Sequence, residues 1–251
     1  MTGPGPGSAA HRFVQALDQL PPPELRGPEM LAVRLARACL AALPIDGAGL
    51  SIHDQDGLRT PIGASDPTTA LAERLQFTHG AGPALRAHDD GTAIAFTPAE
   101  LARNWPELHS ALVGDTPFSA VLSVPLLPPL GPLVVLDLYV RDALALPATD
   151  REDVADVTIA LTRAMVAAAL GAPAVEGRRG WWDGPDALRR ARVWQATGMV
   201  DVAFGLDTVD ALAVLKAHAF ATDRVVDDVA DDLVAGRIAL DQLRPSADSD
   251  R

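Results

Sequence analysis

The strongest constraint on this chain is a change of hydrophobic rhythm across a stretch that cannot be regular structure. Residues 171–185 read GAPAVEGRRGWWDGP, punctuated by Gly171, Pro173, Gly177, Gly180, Gly184 and Pro185. Glycine and proline at that density interrupt helix and strand alike. Upstream, short strand-like segments interleave with helical ones; downstream, the apolar residues recur at three and four. The 251 residues therefore divide into five parts: a flexible leader with a short helix (1–27), an α+β domain (28–170), a linker (171–185), a small all-helical domain (186–244) and a frayed tail (245–251).

Within the α+β part, Leu31, Leu35, Ala38 and Ala42 predict a helix that opens near Pro28 and stops before Pro44. Strands are expected at 47–54 and just beyond the Asp56-Gly57 turn. A helical pattern follows at 67–75, then a Gly80-Ala81-Gly82-Pro83 loop, a polar turn at 88–91 and a strand at 92–96. Residues 99–112 read as one helix, 119–127 and 133–140 as strands, and 149–170 as a long helix carrying Val154, Val157, Leu161, Met165 and Ala168. Strands among helices predict an antiparallel sheet with helices on its faces. Beyond the linker come three amphipathic helices. Their apolar faces are Val193/Ala196/Val200/Ala203, then Ala211/Leu212/Leu215/Ala219 behind a cap at Asp207 or Thr208, then Val226/Val229/Ala230/Leu233 before Gly236.

Charge narrows the classes of function. With 21 Lys+Arg and 33 Asp+Glu the net charge is −12, which excludes a protein held to DNA or an anionic membrane by a global basic field. A local nucleic-acid surface remains allowed. The one cysteine, Cys39, excludes a disulfide framework and reads as a small buried hydrophobe. The N-terminus lacks the basic and apolar regions of a secretory signal, and the apolar run at 126–138 is too short and too broken by proline to span a bilayer. A cytoplasmic protein without membrane contact is expected. No Gly-x-Ser-x-Gly, no Cys–His nucleophile pair and no metal-ligand spacing among the six histidines supports catalysis, a metal or a cofactor.

Particular residues then support a resemblance. Gln195-Ala196-Thr197-Gly198-Met199, Gly205, Ala211-Leu212, Leu215-Lys216-Ala217-His218-Ala219 and Asp228-Val229-Ala230 resemble, in order and spacing, the ANTAR domain of bacterial antitermination regulators. Leu75-Gln76-Phe77-Thr78, Gly80-x-Gly82-Pro83, Trp105-Pro106, Val124-Pro125-Leu126 and Leu136-Asp137-Leu138-Tyr139 are similar to the GAF domain that precedes ANTAR in actinobacterial regulators. The resemblance implies a GAF sensor followed by a three-helix ANTAR output that binds paired short-loop RNA hairpins and keeps a terminator from forming. It implies RNA contact through Gln195, Ala196, Thr197 and Gly198, together with Lys216 and Arg224, and no DNA partner.

On the first of the three helices Arg190, Trp194, Thr197 and Asp201 share a face at spacings of four, three and four, separate from the Val193/Ala196/Val200 stripe. Trp194 beside Arg190 suits stacking on an unpaired base with a guanidinium on phosphate, or plain packing. Arg178, Arg179, Arg189, Arg190 and Arg192 form the basic cluster of the chain. From residue 186 onward eight basic residues face twelve aspartates, leaving −4, so RNA is expected to use the arginines and avoid the acidic third helix with Asp223, Asp227, Asp228, Asp231 and Asp232. The alternative for the arginines is pairing with nearby acids. Gly80, Gly82 and Pro83 either admit a small-molecule ligand of the GAF part close to the backbone or form a plain turn. A homodimer through the helices at 28–43 and 149–170 is expected, since their apolar stripes exceed what one sheet face needs. The rival to the RNA reading is a protein-interaction or small-molecule sensor whose helical bundle does not bind RNA.

Overall fold

The computed structural model describes residues 5, 7–53, 59–146, 150–171 and 180–244. The chain divides into two compact units, Met1–Ala187 and Leu188–Arg251. The expected Asp56-Gly57 turn, Arg178, Arg179 and the tail beyond Arg244 lie outside the described residues.

The first unit is built on five antiparallel strands, β1 (Gly47–His53), β2 (Arg59–Ala64), β3 (Ile94–Phe96), β4 (Ala120–Pro125) and β5 (Val134–Val140), in the order β2-β1-β5-β4-β3. The sheet with its flanking helices is the antiparallel α+β architecture expected. Every residue of the central β5 is buried, and its side chains alternate between faces. Val134, Leu136 and Leu138 join Ala48 and Leu50 of β1 against α2 (Leu31–Ala42) and α7 (Arg151–Gly171), where Leu35, Cys39, Val157, Leu161 and Met165 complete the main core. On the opposite face Tyr139 and Val121 pack with Ala72, Leu101, Leu112 and Phe118. Those residues come from α3 (Pro67–His79), α5 (Pro98–Asn104), α6 (Pro106–Asp115) and the turn before β4, while α4 (Pro83–Asp90) lies along the same sheet.

Local chemistry sets the helix ends. Asp66 accepts the Thr69 N–H at 2.9 Å ahead of Pro67, and Gly80 closes α3 at φ 65, a left-handed conformation that glycine adopts without strain. Thr97 and Glu100 form a reciprocal capping box on α5. The single helix expected at 99–112 is two, because Pro106 forbids helical geometry at Trp105 (φ −143, ψ 71) and opens α6. The polar turn expected at 88–91 is instead the end of α4, a helix whose short apolar pattern hid it.

Two further expectations are corrected. The leader is not separate from the core: α1 (Ala9–Asp18), capped by Ser8, seats fully buried Ala9 and Phe13 against α2 and α7. It covers the surplus apolar stripe that motivates a dimer through those two helices. The linker does not run unstructured to residue 185 either, since Trp181–Asp183 forms a 3-10 turn with Trp181 packed against the main core. Among the described residues α7 is long and apolar enough to cross a membrane (mean hydropathy 1.5 in its best window). In the structure Val154, Val157, Leu161 and Met165 of α7 lie in the core of the first unit.

The second unit carries α8 (Pro185–Phe204, whose first turn precedes the boundary), α9 (Thr208–Ala221) and α10 (Val226–Val234). Asp207 caps α9 by accepting the Asp210 N–H at 2.9 Å, and Gly205 (φ 67) and Gly236 (φ 71) end α8 and α10. Val193, Ala196, Val200, Ala211, Leu215, Ala219, Val226, Val229, Ala230 and Leu233 are buried as expected. Ala203 is exposed.

Candidate functional site

The most unusual feature of the first unit is a cluster of charged and polar side chains inside it. Alternation along β1 and β5 turns Ser51, His53, Asp137 and Tyr139 toward α3, opposite to the apolar face. Glu73 and Gln76, three residues apart on α3, project from the same side of that helix. Arg59 enters from β2 and Ser123 from β4, directly across the ladder from Asp137. All eight are buried.

The guanidinium of Arg59 uses each of its nitrogens. Nε donates to Ser51 Oγ at 3.2 Å, Nη1 to the Glu73 carbonyl at 2.7 Å, and Nη2 to both Glu73 Oε2 and Asp137 Oδ2, the latter at 3.1 Å. Gln76 Nε2 donates to Asp137 Oδ2 at 2.8 Å and to the Tyr139 hydroxyl at 2.6 Å; that hydroxyl donates to Glu73 Oε1 at 2.7 Å, and Ser123 Oγ donates to Asp137 Oδ1. Two carboxyl groups thus share one guanidinium in a dry site. Burial, and then the neighbouring Asp137, raise the Glu73 carboxyl to about 8 despite the opposing pull of Arg59. Burial followed by Glu73 and Asp137 holds the Tyr139 phenol well above its usual range. For Arg59, burial acts against the charge, but Glu73 and Asp137 outweigh it and raise its pKa. Chemically the cluster holds one exchangeable proton near neutrality, on Glu73.

His53 borders this network, its Nε2 3.0 Å from Ser51 Oγ and its ring stacked on His88 with centroids 4.7 Å apart. Among the described residues its buried Nδ1 has no hydrogen-bond partner. Burial, then Arg59 and His88, pull its pKa down to about 2, so the imidazole stays neutral. Among the described residues no three His, Cys, Asp or Glu side chains are placed to hold a metal ion.

The Gly80–Pro83 segment is a corner between α3 and α4. Gly82 (φ 149) and Pro83 are buried, and a Cβ on Gly82 would stand 2.7 Å from Gln76 Oε1. That oxygen accepts the Ala84 N–H at 3.1 Å. The glycine is required so that Gln76 can pass close by and pin the corner. Gly80, Gly82 and Pro83 thus form the corner between α3 and α4, and the loop ties α4 to the network.

In the second unit the expected RNA-binding residues separate. Arg189, Gln195 and Gly198 are exposed, Trp194, Lys216 and Arg224 are half-buried, and Arg190, Ala196 and Thr197 are buried. The predicted face through Arg190, Trp194, Thr197 and Asp201 is therefore not a surface. Arg190 turns inward to Asp227 of α10 at 3.3 Å, and Thr197 Oγ donates to the Val193 carbonyl at 2.8 Å. The buried arc of α8 is wider than the expected stripe because a buried counter-ion on α10 draws the arginine in. The acids of α10 also meet four further arginines: Arg189 lies 3.8 Å from Asp228 and 3.9 Å from Asp231, Arg192 lies 3.5 Å from Asp231, and Asp232 holds Arg224 at 2.6 Å as well as Arg237. Burial, then Arg190, lower the Lys216 amine to about 8, with Asp227 opposing.

Sequence reasoning passed over the buried network, although one signal for it was present. The run VVLDLYV places a single carboxylate in an otherwise apolar central strand, which demands a counter-charge. No protein-family model matches the chain, and neither does any curated protein. Among solved structures it is similar to the GAF domain of a phosphoenolpyruvate-protein phosphotransferase from Coxiella burnetii, with 17% sequence identity and a TM-score of 0.43 over 65% of this chain and 94% of that one.

Proposed function

We propose that the chain is a non-enzymatic, cytoplasmic regulator: a GAF-like signal-input unit joined to an ANTAR-like unit that binds hairpin RNA and modulates transcription termination. The observation that carries the reading is how the residues of the ANTAR resemblance fall on α8–α10. Ala196, Ala211, Leu215, Ala219, Val229 and Ala230 are buried, Gly205 stands where α8 must end, and Trp194, Lys216 and Arg224 keep part of their surface. Trp194 stacks on an unpaired loop base, while Arg189, Lys216 and Arg224 meet phosphate. The input unit offers the Arg59–Glu73–Asp137 network as the polar core that a small-molecule or proton signal would rearrange.

A second reading, sensing or protein contact without RNA, is favoured by the pairing of Arg189, Arg192 and Arg224 with aspartates of α10. Binding of the full chain to a tandem-hairpin RNA and to a loop-scrambled control, at low and moderate salt, separates the two. The RNA reading expects loop preference that survives added salt while overall affinity falls, and loss of that preference in Trp194→Ala. Equal binding to both RNAs, or none to either, assigns the bundle to protein contacts.

A further inference from the structure

The outer side of α8 carries a stripe that the second unit leaves uncovered. Leu188, Ala191, Gln195, Gly198 and Val202 follow spacings of three, four, three and four, the seam repeat of paired helices. All five are exposed, Val202 to 87% and Leu188 to 48%. Gly198 is the informative member. Glycine inside a helix costs about 1 kcal/mol relative to alanine, yet nothing lies within 4 Å of where a Cβ would stand. The unit itself makes no use of the missing side chain; a second body lying close against the helix backbone does. The stripe is also uncharged, and the flanking Arg189 and Arg192 are engaged by Asp228 and Asp231. A polyanion meets no cation on the seam, whereas a copy of the same helix meets no like charge.

We propose that this face is a self-association seam on which α8 of a second copy packs antiparallel. The register that sets Gln195 against Gly198 of the second copy also sets Val202 against Ala191 and Leu188 against Gly205. Two-fold symmetry repeats each pair in the opposite sense. Every larger side chain then meets glycine or alanine, and the helix dipoles oppose one another. Parallel packing would instead set Gly198 on Gly198 and Val202 on Val202, leaving a gap beside a crowded layer. The inference goes beyond the RNA reading, does not rest on it, and takes Gln195 and Gly198 out of RNA contact. One helix pair is smaller than the standard interface of about 1,600 Å², so association in the micromolar range is expected.

The test is sedimentation of the full chain from about 1 to about 300 µM, beside Val202→Glu and the double variant Ala191→Cys/Val202→Cys. The expected result is a monomer–dimer transition whose midpoint concentration rises at least about 30-fold in Val202→Glu, a carboxylate brought into a closed apolar seam. Thermal unfolding should be unchanged at so exposed a position. Mild oxidation should link two copies of the double-cysteine variant but neither single variant. A chain that stays monomeric throughout overturns the proposal, as does a dimer indifferent to Val202→Glu or cross-linking through one cysteine alone. So does loss of hairpin binding in Val202→Glu without any change in assembly, which would give the face to nucleic acid.

Discussion

Replacing Glu73 by glutamine tests whether the buried network carries a proton. The folded first unit keeps a proton on Glu73 up to pH about 8, whereas the unfolded chain releases it near the ordinary value of 4.5. Between those values the native state binds more protons, so its stability falls as pH rises. His53, drawn from 6.5 to about 2, acts in the opposite sense, chiefly below pH 6.5 and fading by about pH 7.5, where the unfolded chain no longer takes up the proton that the native imidazole refuses. Glu73 therefore dominates the window from 6.5 to 8, where the remainder of the His53 titration opposes it by only about 0.4 kcal/mol. Integrating both linkages there predicts a net loss of about 1.2 kcal/mol, a fall of about 0.4–0.6 M in urea midpoint for an m-value of about 2–3 kcal/mol/M. The glutamine side chain keeps the volume and cannot ionise, although its single oxygen can accept from Tyr139 or from Arg59 but not from both. Glu73→Gln, whatever its starting stability, should lose none of it between pH 6.5 and 8. Urea titrations followed by the fluorescence of Trp105, Trp181 and Trp182, in a Trp194→Phe background, report on the first unit. A parent midpoint that is flat or rises over this window, or a variant that tracks the parent, would refute the buried-proton argument.

Arg59→Met strands two buried carboxyl groups and should cost about 3–5 kcal/mol at pH 8; the loss should be smaller in a Glu73→Gln background, and equal losses would show that the two groups act independently. In the second unit Asp227→Asn removes the carboxylate that stands 3.3 Å from the buried Arg190 and should cost about 3 kcal/mol, while Arg189→Ala, an exposed partner of Asp228, should change stability by less than about 1 kcal/mol; thermal melts of both variants decide. Phe13→Ala should destabilise the first unit by about 3–5 kcal/mol, measurable by urea titration, and a negligible effect would return the leader to the status of an appendage. Gly82→Ala, with its Cβ 2.7 Å from Gln76 Oε1, should loosen the corner between α3 and α4 and speed amide exchange in α4.

Features that depend on neighbours a few residues away can be read along the chain. The division around residues 171–185, the strand alternation of β1 and β5, the caps at Asp66, Thr97 and Asp207 and the stops at Gly80, Gly205 and Gly236 all act within one or two helical turns. They were legible, or are explicable, from local spacing. Tertiary structure decided which polar residues meet. Arg59 reaches Asp137 across 78 positions only because the β1–β5 and β1–β2 registers bring their shared face under α3, and no local signal encodes a register. Arg190 looks like a surface cation on a helical wheel and is a core residue because Asp227, 37 positions away, offers a buried counter-charge. The arginines and the acidic third helix, legible separately as an attractive and a repulsive surface for RNA, fold onto each other because opposite charges lower their energy by pairing. Local propensity thus set the elements and their ends, while long-range electrostatics and packing set which faces are interior, and so which residues remain for a partner.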